Sequence, residues 1–228
     1  MRSFSVTLPF ALLLVACGGP SVGDIGATSE VTIAVTGVAS APDMVGLGEP
    51  GAGLGVSRLY LSSSALSIMP CAADAGDVTV GARGYDLLGE PAPGERIGTA
   101  VTELCAIRLD IDPVTQNALE GIPDGAALYA EGTSTEEAAF SFSTPTSSSV
   151  LLEAVDGQPF GDVALLLGLD VSSWLAGVPV DEFASNPDAV QQLVDGRTSS
   201  AFALYADGNG NRTLDEDELT PVATARAR

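Results

Sequence analysis

ELCAIRLDIDP, residues 103 to 113, carries the cleanest alternation in the chain. Leu104, Ala106, Arg108, Asp110 and Asp112 interleave with Cys105, Ile107, Leu109 and Ile111. Successive side chains of a strand point to opposite faces, so this segment predicts a half-buried strand with Cys105 turned inward beside the isoleucines. Its neighbours read the same way. VTIAVTGV (31–38) is rich in β-branched residues, and VSRLYLSSSALSIMPC (56–71) alternates apolar residues with serines as one or two strands would. GDVTVGARGYDLL (76–88), AALYAEGT (126–133), AAFSFST (138–144), SVLLEAV (149–155) and SSAFALYA (199–206) add further short strands. DVALLLGLDVSSWLAG (162–177) starts as a buried strand and turns into a short helix carrying Trp174, with Ser172 or Asp170 as N-cap. NPDAVQQLVDG (186–196) is the best helix: Asn186 at the N-cap, Pro187 in the first turn, Gly196 at the end. About eight strands and one or two short helices predict a mainly β fold, an antiparallel β-sandwich.

Composition narrows the partners. The 228 residues include 30 acids and 9 bases, a formal net charge of -21, with no lysine and no histidine. Phosphate backbones are held by clustered cations, so no nucleic-acid partner is expected, and a bare anionic membrane surface repels such a body. Without histidine, Ser-His-Asp and Cys-His catalysis are excluded, and Ser-Lys variants fail for want of lysine. Zinc lacks its usual donors too.

The N-terminal stretch MRSFSVTLPFALLLVACGGP has one arginine and an apolar run from Leu8 to Ala16, about half of the roughly 20 residues a membrane-spanning helix needs. Leu14-Val15-Ala16-Cys17 resembles the bacterial lipobox. The resemblance implies a lipoprotein signal peptide over 1–16, cleavage before a lipidated Cys17, and, with Gly18 next, release to the outer membrane. Two or three acyl chains, at about 0.8 kcal/mol per buried methylene, anchor durably. The competing reading is an ordinary secretory signal with an incidental cysteine. Residues 17–30 are expected to be a tether, 31–206 the β-sandwich, and 207–228 a loop and C-terminal tail.

After cleavage and lipidation at Cys17, Cys71 and Cys105 remain. In an oxidising compartment an even pair reads as a disulfide, with two buried free thiols as the alternative. The bridge closes a loop of about 35 residues, worth roughly 3 to 4 kcal/mol in the chain-entropy model.

DGNGNRTLDEDE (207–218) places oxygens at positions 1, 3, 5, 7, 9 and 12 of a calcium loop: Asp207, Asn209, Asn211, Thr213, Asp215 and Glu218. With apolar Leu214 at position eight, it resembles the EF-hand and dockerin type of loop. It departs from the pattern at position six, where Arg212 replaces glycine, and in being entered by a strand, while Pro221 stops any exiting helix. Three carboxylates imply weak binding, roughly 10⁻⁴ to 10⁻³ M. The plain alternative is a polar turn followed by an acidic helical turn.

Together with the Cys71 and Cys105 pair, VTIAVTGV and LLLGLDVSSWLAG, this terminal stretch resembles a loose class of bacterial surface lipoproteins with transthyretin-like or immunoglobulin-like sandwiches, a class that brings no activity with it. GLGEPG (46–51) matches a dinucleotide fingerprint in letters, but no helix opens after it, and a loop is expected. The expected function is a non-enzymatic binding, adhesion or structural module at the cell envelope, held to the membrane by its lipid and stabilised by calcium. A carbohydrate or protein ligand would suit such a module, and the sequence names neither. The alternative is a secreted carboxylate-dependent hydrolase drawing on residues such as Asp110, Asp112, Glu131, Asp170 and Asp181, which the sequence cannot pair. Trp174 and Tyr205 read as core more readily than as a sugar platform.

Overall fold

The computed structural model describes residues 29–48, 54–72, 75–89, 95–99, 103–113, 122–160 and 164–225. The signal stretch, Cys17, nearly all of the tether and half of GLGEPG lie outside them. The described strands are β1 (Ser29–Val38), β2 (Val45–Leu47), β3 (Leu54–Pro70), β4 (Val78–Val80), β5 (Arg83–Asp86), β6 (Glu95–Thr99) and β7 (Leu104–Ile111). They continue with β8 (Leu128–Thr133), β9 (Ala139–Thr144), β10 (Ser148–Ala154), β11 (Ala164–Asp170), β12 (Phe202–Asp207) and β13 (Pro221–Ala225). Two α-helices, α1 (Val171–Leu175) and α2 (Pro187–Thr198), accompany them.

All thirteen strands belong to one hydrogen-bonded sheet, ordered β6-β1-β11-β12-β13-β10-β7-β3-β8-β9, with β2, β4 and β5 also on β3. The fold is mainly β, and the sheet curls into a half-barrel compatible with a sandwich-like body. The curl is visible in two bonds. Gly37 in β1 donates its N–H to Leu87 O at 2.8 Å, and Leu87 donates its own to Leu59 O in β3, also at 2.8 Å, so strands far apart in the order meet. Inside the curl one apolar cluster joins Ile33, Leu61, Ile107, Phe142, Leu167 and Trp174, all fully or almost fully buried.

Antiparallel pairing dominates, with two parallel pairs, β1–β11 and β2–β3. β3 is one strand of 17 residues that changes partner midway. Gly55 to Leu61 pair with β8 and Ser63 to Pro70 with β7. Ser62 donates to Ala127 O and accepts from Asp112 N, so both partners occupy the same edge of the strand. The close approach of β3 and β8 needs Gly132, because a Cβ there would stand 2.0 Å from Gly55 O. Gly168 serves similarly in β11, where a Cβ would press on Val38 and the Tyr205 ring.

Several local expectations change. In β7, Ile107, Leu109 and Ile111 are buried as alternation predicts, but Leu104 and Ala106 are buried too and Cys105 is only half-buried. A register shift between Met69 and Pro70 places Cys105 at a bulge opposite β3, which breaks the strict alternation. The Cys71–Cys105 disulfide is formed at that bulge and ties β7 to the end of β3. Helix α2 runs through Gly196 to Thr198, and the Asn186 side chain makes no cap bond. The extension is held from outside the helix: Thr198 Oγ1 accepts from Trp174 Nε1 at 3.3 Å, and Arg197 donates to Ala176 O. Asp170 is the N-cap of α1, accepting from Ser172 N at 3.1 Å. Residues 221–225, expected in a tail, form β13 in the middle of the sheet.

Candidate functional site

Strand β12 delivers Asp207, buried at 4% exposure, to the start of the acidic loop. Its Oδ1 accepts from Gly210 N at 2.7 Å and Asn211 N at 3.1 Å, and its Oδ2 accepts from Arg212 N at 2.9 Å. One carboxylate thus organises the N–H groups of loop positions four, five and six. To point its N–H inward, Arg212 adopts φ 64°, the left-handed region that the glycine of such loops supplies without a Cβ penalty, and Gly210 stands at φ 71°.

The far end of the loop folds back on the near end. Glu218 Oε1 accepts from Gly208 N at 2.7 Å and its Oε2 from Asp215 N at 3.3 Å. Asp215 and Glu218 also form a capping box on the 3-10 turn Glu216–Glu218, after which Pro221 opens β13. Asn209 and Asn211 each donate a side-chain N–H to Asp215 Oδ2, at 2.7 and 2.9 Å. Thr213 donates its N–H to Asn211 Oδ1 at 2.7 Å. Leu214 packs on Ala34, Val38, Leu166 and Tyr205, a small apolar patch separate from the main core. This explains why LLLGL is apolar on both faces: the loop covers the second one.

The sequence-derived residues are therefore brought together in one loop, beside a cleft of about 480 Å³ lined by Asn209, Asp217 and Glu218 among others. Their donors are all hard oxygens of the kind calcium takes. They are not drawn into a tight carboxylate cage: among the described residues no group of three or more His, Cys, Asp or Glu stands close enough to hold a metal. The two asparagines present nitrogen to Asp215, and rotating either amide would present oxygen instead. That rotation would give up the bonds that Asn209 Oδ1 accepts from Asn211 N and Asn211 Oδ1 from Thr213 N.

Of the carboxylates considered for hydrolysis, Asp110 and Asp112 stand two residues apart at the end of β7. Asp110 accepts from Ser149 Oγ at 2.7 Å and pairs with Arg108, while Asp112 accepts from Ser147. Asp170 is buried and receives Ser40 Oγ at 2.7 Å and Ser173 Oγ at 2.6 Å, which pins the segment after β1 to the start of α1. Asp181 is exposed in the 3-10 turn Val180–Glu182. Trp174 and Tyr205 are buried at 0% and 5% exposure. Burial pushes the Tyr205 phenol above its ordinary value, with the Asp170 charge adding to the effect.

One cluster escaped the sequence reading. On the outer face of β3 and β8, Tyr60 lies opposite Tyr129 and Arg58 opposite Glu131. The tyrosine rings lie within 15° of parallel with centroids 6.4 Å apart. Tyr129 donates its hydroxyl to Glu131 Oε2 at 2.6 Å, and Arg58 Nε stands 3.3 Å from Glu131 Oε1. The signal was present in RLYL and LYAE, where alternation turns each tyrosine outward two residues from a charge. Desolvation, then the bond to Glu131, raises Tyr129 to about 12. A neutral phenol favoured in the folded state adds stability below pH 10, and that stability fades as pH rises through 12. Glu131→Gln should lower this value while leaving it above that of a free tyrosine, because burial is the larger cause. Absorbance titration against Tyr129→Phe reads it, and an unchanged value in Glu131→Gln would remove the carboxylate from the account.

No protein-family model, curated protein or solved structure matches this chain.

Proposed function

We propose that this chain is a cell-envelope lipoprotein, anchored at the outer membrane through Cys17, whose β body is a non-enzymatic binding or structural module tied together by calcium at Asp207–Glu218. The observation that carries the calcium reading is the backbone of the loop. Asp207 at position one gathers the N–H groups of positions four to six, and Glu218 at position twelve closes on position two. Asp207, Asn209, Asn211, Asp215 and Glu218 would supply side-chain oxygens, and Thr213 its carbonyl. Calcium would draw the carboxylates of Asp207, Asp215 and Glu218 toward one charge and so fasten β12 to β13. The anchor rests on the lipobox resemblance, and among the described residues no helix is long and apolar enough to cross a membrane.

Calorimetric titration of the chelator-treated protein with calcium tests the loop. For a Kd of roughly 10⁻⁴ to 10⁻³ M, about 10 mM calcium should stabilise the fold by about 1.4 to 2.7 kcal/mol. No heat and no change in Tm would end the calcium reading. Fractionation tests the anchor: Cys17→Ser should leave the membrane for the soluble fraction, and a variant that stays membrane-bound would refute lipidation at this residue.

A further inference from the structure

The outer face of β3 and β8 carries two aromatic side chains that stand outside the apolar core. Alternation turns Leu59 and Leu61 inward, fully buried, and leaves Tyr60 between them facing out. Residues directly opposite in an antiparallel pair share a face, so one row across the sheet runs from Asp86 in β5 through Tyr60 to Tyr129 in β8. Arg58 and Glu131 form the next row, with Ser141 of β9 opposite Glu131. Both rings are partly exposed, and Arg58, Asp86 and Ser141 are exposed.

These groups are held in place within the chain itself. The Tyr129 hydroxyl is fixed on Glu131 Oε2 and Arg58 holds Glu131 Oε1, while Asp86 Oδ1 accepts from Leu88 N and Gly89 N at 3.1 Å each. A prearranged surface loses little side-chain freedom on binding. Hydrogen-bonding capacity is left over on both sides: a guanidinium has several N–H groups, and each carboxylate oxygen accepts more than one bond.

An anion would use only the guanidinium and would meet Glu131 and Asp86 on a body of formal net charge -21. A cation would use only the carboxylates and would meet Arg58, already seated 3.3 Å from Glu131. A sugar uses both, because each hydroxyl donates and accepts, and its C–H face covers a tyrosine ring. A stable protein partner needs about 800 Å² a side around an apolar centre, and the next outward side chains here, Thr133 and Ser141, are exposed and polar. We infer that Tyr60 and Tyr129 form a stacking platform for a neutral polysaccharide, with Arg58, Glu131 and Asp86 bonding its hydroxyls. This gives the proposed binding module its ligand class and rests on that reading, but it involves neither Cys17 nor the Asp207–Glu218 loop.

Affinity electrophoresis of the mature protein in native gels containing hydroxyethylcellulose, glucomannan or dextran tests it, with alginate as the anionic control. At least one neutral polymer should retard the wild type. Tyr60→Ala and Tyr129→Ala should each weaken that binding about tenfold, and Tyr60→Phe, which keeps the ring, should stay within about twofold of the wild type. Thermal unfolding of each variant keeps a folding defect apart from a binding defect, and Arg58→Ala, at an exposed position, should weaken binding about fivefold with the Tyr60 and Tyr129 rings still in place. Retardation by none of the three neutral polymers, by alginate alone, or equally in the wild type and both alanine variants overturns the inference. Reducing ends assayed in parallel separate it from the reading it rests on. Binding with release of reducing ends keeps the platform and refutes a non-enzymatic module; absence of binding overturns the platform, while calcium heat and membrane fractionation still judge the module.

Discussion

Asp207→Ala should cost about 2 to 3 kcal/mol of stability in the absence of metal and abolish any calcium-induced rise in Tm. The carboxylate is buried and accepts from three backbone N–H groups at once. Alanine removes the acceptor but keeps the turn, leaving three donors without their charged partner. Arg212 then holds its left-handed conformation with nothing to offset the strain. Asp207→Asn separates the two effects: its amide oxygen accepts from part of the loop, so stability should fall by less, while calcium loses a charged ligand. Urea unfolding with and without calcium measures both. A loss below about 0.5 kcal/mol in Asp207→Ala would mean that the loop does not depend on this residue.

Trp174→Ala should be the most damaging change of all, at about 3 to 5 kcal/mol. The indole is fully buried, meets the edge of Phe142 at a centroid distance of 6.4 Å, and donates Nε1 to Val194 O at 3.2 Å and to Thr198 Oγ1 at 3.3 Å. It is the joint between α1, α2 and the sheet. Removing it leaves a large cavity and frees the last turn of α2, whose run past Gly196 depends on these contacts. Trp174→Phe should cost less, about 1 to 3 kcal/mol, because it keeps most of the volume and loses only the N–H donor. Denaturant unfolding would reveal the difference. Equal losses for the two variants would show that the hydrogen bonds, not the packing, hold the joint.

The strands of six or more residues, β1, β3, β7, β8, β9, β10, β11 and β12, could all be read from sequence, β11 by its unbroken apolar run and the others by alternation or β-branched content. GDVTVGARGYDLL announced a short strand where β4 and β5 form, whereas the short strands β2, β6 and β13 could not be read. Three to five residues give too few alternations to signal a period, and each exists because a longer neighbour offers an edge. β13 is the clearest case. PVATA carries only small or partly buried apolar side chains to the core, Ala223 with Val222 and Ala225, and its place at the centre of the sheet follows from the loop that returns it to β12 and from the open edge of β10. The oxygen positions of Asp207 to Glu218 and the pairing of Cys71 with Cys105 could be read too, the first from fixed spacing and the second by elimination. The Tyr60–Tyr129 pair could not, because which tyrosine faces which is decided by the register of two strands about 70 residues apart in sequence.

Local chemistry in the sequence determined which segments extend, where the chain turns, which residues can offer oxygen to a cation, and which two cysteines can join. Strand order, parallel or antiparallel direction, the curl that closes one core, and the insertion of the final strand between β12 and β10 were decided only in the folded molecule. The physical reason is that alternation fixes which face of a strand is buried but says nothing about its neighbour: that is settled by apolar surfaces and unpaired backbone groups, which find their partners only when distant parts of the chain meet.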